Sequence, residues 1–420
     1  MPKETIFQPD VQEQINAMGD TEIVVGLCTH NHSRTVGPVL HAIQSGLEHY
    51  YPGIKFLVVV SDGGSTDETL SSVVEAIPGE RLILFSHPLH PAYRINVPYH
   101  GLPGKAHCLS AILEITKALG AGACLLIDPD VQTVIPEWLK LMVDPIFEEG
   151  FDFVAPSYQR HKYDGTLTNS VIYPLTRSLY GQRIRQPIGS DVAFSQRMAV
   201  DFLKKDLWHT QLVSNCPSLW MTTVAIAEGF KVCQSLLGPK TQIPRPYGAD
   251  LSHLLAQVLG GVFDLMESYH TVWSEIRGSE PSPVFGLPKD CGVEPVTVNT
   301  DRMIQAFDQG VADLSGIWEE FLSQDLVKSL RLLASLPLAD FRFQDEIWVR
   351  TVFEFAAAYH NSRMDRTHLI KSMTPLYLGR TASFVMETSH CSAADVENQI
   401  ELLCLEFENS KPYLVECWGK

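Results

Sequence analysis

Two short apolar runs constrain this chain more than any other feature: residues 22–28 (Glu-Ile-Val-Val-Gly-Leu-Cys) and residues 55–61 (Lys-Phe-Leu-Val-Val-Val-Ser). Both are rich in β-branched residues and end in polar loop residues, and the intervening stretch Val36–Tyr50 has helical spacing. Strand, helix, strand in that order is a βαβ unit. Leu82–Phe85 and Ala123–Ile127 read as further strands, with Lys105–Leu119 as the helix between them. The first half is therefore expected to form a largely parallel α/β sheet with covering helices, and any ligand belongs at the carboxyl ends of the strands.

At 420 residues the chain exceeds one ordinary core, so a large α/β domain with a smaller partner is expected. The proposed division is an N-terminal extension (1–20), a catalytic domain (21–280), a linker (281–298) and a C-terminal domain (299–420). A proline-rich, turn-rich stretch from Arg277 to Pro295 marks the linker. Beyond it, Asp301–Leu336, Asp345–Asn361 and Ala393–Phe407 place apolar residues at helical spacing with acids near their starts, predicting an all-helical domain. Trp318, Phe321, Trp348, Phe353, Phe355 and Tyr359 would form its core, and a homo-oligomer that buries some of them is expected.

The formal charge of −17 argues against a nucleic-acid phosphate binder, so an anionic substrate needs local basic groups or a bound cation. The N-terminus lacks a basic segment followed by an apolar one, and no long uncharged apolar run occurs anywhere, so no integral membrane segment is expected and the location is read as cytoplasmic. Nine cysteines, an odd number with no C-x-x-C pair, suit reduced thiols rather than a disulfide framework or a zinc site.

The strand Ala123–Ile127 runs into Asp128-Pro129-Asp130, which places two carboxylates at a strand's carboxyl end, where a hard divalent cation can be held and shared with a diphosphate. Pro129 fixes its own φ and keeps Asp128 extended, so the acids sit on a stiff turn. Upstream, Ser61-Asp62-Gly63-Gly64-Ser65-Thr66-Asp67 joins a strand to a helix through glycines that allow a ligand close to the backbone. Asp62 is placed to accept hydrogen bonds from a nucleoside, while Ser65, Thr66 and Asp67 suit helix capping.

Cys28-Thr29-His30-Asn31-His32, the Asp62 loop, Pro103-Gly104-Lys105-Ala106 and Asp128-Pro129-Asp130 together resemble the ordered motif series of GT-A glycosyltransferases. That resemblance implies a nucleotide-diphosphate sugar (UDP-, GDP- or ADP-linked) as donor. Thr29, Asn31 and Asp62 would meet its nucleoside, Lys105 its diphosphate, and Pro129 would line the donor pocket. Asp128 and Asp130 would hold magnesium or manganese.

Gln186-Pro187-Ile188-Gly189-Ser190-Asp191, Tyr158-x-Arg160 and Phe341-x-Phe343-x-Asp345-Glu346-x-Trp348 resemble the mannosylglycerate and glucosylglycerate synthases, and more distantly the glucosyl-3-phosphoglycerate synthases. The implied reaction moves glucose or mannose to a small hydroxy acid such as D-glycerate, with retention of configuration, as in compatible-solute synthesis. Gly189 and Ser190 would then lie by the sugar and acceptor, and Asp191 would be the base if the reaction inverted instead. Tyr158, Arg160, Thr166 and Arg185 are candidates for the acceptor carboxylate, with paired surface charge as the competing reading of both arginines.

Two positions depart from the family. Cys216-Pro217-Ser218 stands where an acidic residue is expected, and Lys240-Thr241-Gln242 where a metal-binding histidine is expected. A Gln242 carbonyl would be a weaker oxygen ligand. Transfer to 3-phosphoglycerate or to a sugar, or nucleotide-sugar binding with reduced catalysis, are the alternatives this leaves.

Overall fold

A computed structural model describes residues 7, 9–87, 102, 104–208, 210–241, 251–288, 296, 298–361 and 364–419. Its strands are β1 (Ile23–Thr29), β2 (Phe56–Asp62), β3 (Leu82–Ser86), β4 (Ala123–Leu126), β5 (Phe153–Gln159), β6 (Gln182–Arg183), β7 (Val192–Ser195), β8 (Val232–Pro239), β9 (Glu280–Pro281) and β10 (Val284–Phe285). Eight of them form one sheet in the order β10-β8-β5-β7-β4-β1-β2-β3. Every ladder is parallel except those of β7, which runs antiparallel between β4 and β5. Every residue of β1, β2 and β4 is buried, as expected of a sheet covered on both faces.

The helices Val36–Tyr50 and Lys105–Leu119 fall where the periodicity places them. Gly104 and Gly120, with φ of 66° and 67°, bracket the second in the left-handed conformation that glycine tolerates. That helix rides close on the sheet, because a Cβ added at Gly26 in β1 would lie 2.6 Å from the Ile112 side chain. From β1 the chain proceeds outward to β2 and β3, then returns to place β4 on the other flank of β1. The gap above the carboxyl ends of β1 and β4 is thus a topological switch point, where open α/β sheets take their ligands.

The chain divides into two compact units that interleave in sequence: Met1–Gln159, Ile188–Pro246 and Ser282–Cys291 in the first, Arg160–Pro187, Tyr247–Pro281 and Gly292–Lys420 in the second. The division therefore differs from a single cut at 281–298. Within the stretch read as linker, β10 pairs with β8 at Val284↔Gln234, making it the edge of the main sheet. Residues read as an N-terminal extension contain the helix Pro9–Met18, with Val11 and Ile15 buried.

Residues 160–187 join the second unit through buried side chains. Arg177 is fully buried, forks onto Glu401, whose Oε1 is 2.8 Å from Nη2, and meets Glu408 Oε1 at 2.6 Å. Trp348 Nε1 donates to the Ser170 carbonyl at 2.8 Å, and Lys411 Nζ to the Ser178 carbonyl at 2.7 Å. No periodicity signal reports such long-range pairs. This unit is largely helical, with β6 and β9 as a two-stranded ladder. Its expected first helix is two, Thr300–Trp318 and Gln324–Ala334, because Ser323 caps the second by accepting from Leu326 N while Glu354 holds Ser323. Trp318, Trp348, Phe353 and Phe355 are fully buried there, and Tyr359 nearly so.

Candidate functional site

The loops that follow β1 and β2 are laced together. Thr29 Oγ1 donates to Asp62 Oδ1 at 2.8 Å, Asn31 N to Ser65 Oγ at 2.8 Å, Thr66 N to Asn31 Oδ1 at 2.8 Å and Ser33 N to Asp67 Oδ2 at 3.1 Å. Asn31 takes φ of 56°, which its short polar side chain tolerates. Burial raises the Asp67 carboxyl, but donors from Thr69 and Ser33 outweigh it and hold the group at about 2.

Asp62 is 1% exposed, and its carboxylate also accepts the Ser65 amide at 2.7 Å and the Ser65 hydroxyl at 2.6 Å. In this arrangement the side chain expected to meet a nucleoside is spent on closing its own loop. The Asn31 side chain is likewise engaged within these loops, and His30 Nδ1 lies 2.9 Å from the Gly63 carbonyl.

Beyond β4, the turn Asp128-Pro129-Asp130 stands at the switch point. Lys105, in the first turn of its helix, brings Nζ to 3.5 Å from Asp128 Oδ1. Ser190 donates its hydroxyl to Asp128 Oδ2, and Lys240 Nζ lies 3.5 Å from the same oxygen. Asp191 lies beneath, with no exposure. Its Oδ1 accepts the Asp128 amide at 2.8 Å, and its Oδ2 accepts Lys240 Nζ at 2.6 Å together with the Tyr158 hydroxyl.

Burial pushes the Asp191 carboxyl above its ordinary range against the pull of Lys240, and the Asp128 carboxylate adds to the rise. The strand pattern explains the convergence: Tyr158 is the penultimate residue of β5, Asp191 precedes β7 and Lys240 follows β8, while Asp128 lies just past β4. Neighbouring strands thus deliver their end residues to one place.

A small cleft opens here, lined among others by Cys28, Lys105, Asp128, Ser190, Ser218 and Met221. Ser218 is on that wall, so the site lacks a carboxylate where the family resemblance expects one. Gln242 lies outside the described residues, as does Pro103. Among the described residues no three His, Cys, Asp or Glu side chains converge as a metal cage.

The reading of all nine cysteines as reduced thiols is corrected: Cys28 and Cys108 form a disulfide that joins the end of β1 to the first turns of the helix carrying Lys105. Their 80-residue separation in sequence hides the pairing. Lys240 is the other residue the sequence reading left without a role, and its position just after the apolar strand Val232–Pro239 was the signal available.

Of the four acceptor candidates, only Tyr158 belongs to this unit, and it is 6% exposed, with its hydroxyl given to Asp191. The others lie in the second unit. Arg160 pairs with Asp164 at 3.4 Å, Arg185 with Glu397 at 2.9 Å, and Thr166 Oγ1 is 2.6 Å from the Tyr377 hydroxyl.

No protein-family model matches the chain, and no curated protein matches it. Among solved structures, it is similar to the glucosyl-3-phosphoglycerate synthase of Mycobacterium tuberculosis. Against the complex of that enzyme with Mn²⁺, UDP and glucosyl-3-phosphoglycerate the identity is 20% and the TM-score 0.43, covering 64% of this chain and 86% of that one. Against its complex with Mn²⁺, UDP-glucose and phosphoglyceric acid the identity is 21% and the TM-score 0.43, covering 64% and 85%. The complex with Mg²⁺ and UDP gives 20% and 0.43, again covering 64% and 85%.

Proposed function

We propose that this protein is a glycosyltransferase that moves a hexose, glucose or mannose, from a nucleotide-diphosphate sugar to a small hydroxy acid such as D-glycerate. One observation carries the reading. A carboxylate turn at the switch point of a mostly parallel sheet faces a cavity beside a buried lysine, the arrangement a diphosphate and a hard cation call for.

Asp128 and Asp130 fit a magnesium or manganese ion as oxygen donors, and such an ion, when bound, neutralises charge on the diphosphate. A carboxylate on the cavity wall suits a cation that completes its shell with substrate phosphates and water. Lys105 is placed to hold the diphosphate, and the laced loops at Thr29 and Asp62 form the nucleoside side of the pocket, with the backbone rather than the Asp62 carboxylate as the contacting part.

The commitments of Asp191 support substitution on the same face. Its carboxylate accepts from Asp128, Lys240 and Tyr158 and has no exposure, which suits a supporting group better than a base. The bond between the anomeric carbon and the phosphate oxygen breaks, and the acceptor oxygen bonds to that carbon on the same face. The acceptor's proton passes to the departing phosphate oxygen. Ser190 borders this space, with Gly189 just before it in sequence, and the protein's work is to position the reactants and meet the developing negative charge.

A screen of UDP-, GDP- and ADP-linked glucose and mannose against D-glycerate and 3-phosphoglycerate, with Mg²⁺ or Mn²⁺ and with chelator, tests the proposal. Transfer to glycerate that needs the metal is expected. Nucleotide-sugar binding without transfer to any acceptor would replace it with a binding protein, the alternative that Ser218 on the cavity wall favours.

A further inference from the structure

We infer that Lys240 makes metal binding at Asp128 conditional on the donor diphosphate, an inference that rests on the donor-site reading above. Lys240 is held in place from several sides. Its ammonium is 2.6 Å from Asp191 Oδ2, 3.1 Å from Ser190 Oγ and 3.5 Å from Asp128 Oδ2, and it lies 4.8 Å from the centre of the Tyr158 ring. Its side chain is 3% exposed. The adjoining backbone is tied to the segment after the acidic turn, with Gln132 N donating to the Thr241 carbonyl at 2.9 Å and Thr241 N to Thr133 Oγ1 at 3.2 Å. These contacts hold the ammonium beside the carboxylate that would take a metal.

Both oxygens of Asp128 therefore face an ammonium, Lys105 at Oδ1 and Lys240 at Oδ2, each at 3.5 Å. With all four ionised, Asp128 and Asp191 against Lys105 and Lys240 sum to zero. A divalent ion gains little from such a cluster, and the repulsion from an ammonium a few ångströms away acts in a medium of low effective dielectric. The diphosphate brings the missing negative charge and the missing oxygen ligands together. By linkage, the nucleotide diphosphate must then raise metal affinity, and the metal must raise nucleotide affinity by the same factor. The summed charge around Asp128, to which Lys240 contributes one positive, sets how large that factor is.

The test is calorimetric titration of Mn²⁺ into the full chain, without nucleotide and with saturating UDP, GDP or ADP, with unbound Mn²⁺ followed by its electron paramagnetic resonance signal. Wild type should bind Mn²⁺ about tenfold or more tightly with its cognate nucleotide than without. Lys240→Met should gain about tenfold or more in nucleotide-free Mn²⁺ affinity and lose most of the nucleotide dependence, whereas Lys240→Arg should behave as wild type. The paired variant Lys240→Met/Asp191→Asn removes both buried charges and should keep a nucleotide dependence close to that of wild type, because its net charge is unchanged. Wild-type coupling together with an unaltered nucleotide-free affinity in a folded Lys240→Met protein overturns the role of Lys240 alone. No Mn²⁺ binding by wild type with any of the three nucleotides overturns the donor-site reading on which it rests.

Discussion

Replacing Asp191 separates a supporting role from a catalytic one. In Asp191→Ala, the Lys240 ammonium loses a partner at 2.6 Å while remaining almost fully enclosed, and the Asp128 amide and Tyr158 hydroxyl lose their acceptor. Removing one member of a buried pair costs about 3–5 kcal/mol, because the other is left as an uncompensated charge. At roughly 2–4 °C per kcal/mol for a unit of this size, the melting temperature should fall by about 6–20 °C. Lys240→Met/Asp191→Asn strands neither charge and should recover most of that loss. Differential scanning calorimetry of the three proteins, with the anomeric configuration of the product read by proton NMR, is the assay. The reasoning fails if Asp191→Ala melts like wild type, loses turnover and regains it with added formate to give a product of the opposite anomer. Asp191 would then be the base of an inverting reaction.

Alkylation of the denatured, unreduced protein should modify Cys124, Cys216, Cys233, Cys391, Cys404 and Cys417 but spare Cys28 and Cys108, and mass spectrometry of the peptides checks it. Cys28→Ser/Cys108→Ser should cost about 2–4 kcal/mol for a cross-link spanning so long a loop, read by urea unfolding. Asp130→Ala should abolish metal-dependent turnover, and full activity in that variant or after exhaustive chelation would contradict the metal-bridged donor. In acid, Asp152 should contribute to unfolding. Its burial raises the carboxyl, but Arg197, Lys231 and Ser195 outweigh this and hold it below the ordinary value. That stability is present above about pH 4 and lost as the pH falls through the depressed value, so Asp152→Asn should flatten the acid limb of a stability-versus-pH curve.

What could be read from the sequence followed from how local its cause is. β1, β2 and the helices between the first strands announce themselves through composition and period, and the acidic turn follows from a strand ending at Leu126 with proline three residues after it. The structure places Asp128 at the switch point because strand order, not local sequence, puts β4 beside β1. Strand order is long-range information. The same limit hid Lys240, which acts only because β8 ends beside the acidic turn, and the Cys28–Cys108 bond, whose halves lie on different elements.

It also explains why Arg185 could be read as a substrate group. An arginine's charge is visible in sequence, whereas its partner Glu397 lies 212 residues away. The Asp62 loop has the opposite cause. Its motif was legible, but the number of donors its carboxylate already satisfies was not, since Thr29 reaches it from the neighbouring strand. A motif fixes where a carboxylate sits. The packing of adjacent strand ends decides whether that carboxylate faces open space or only protein, and at this site Asp128 keeps a lined cavity beside it while Asp62 and Asp191 are enclosed as scaffold.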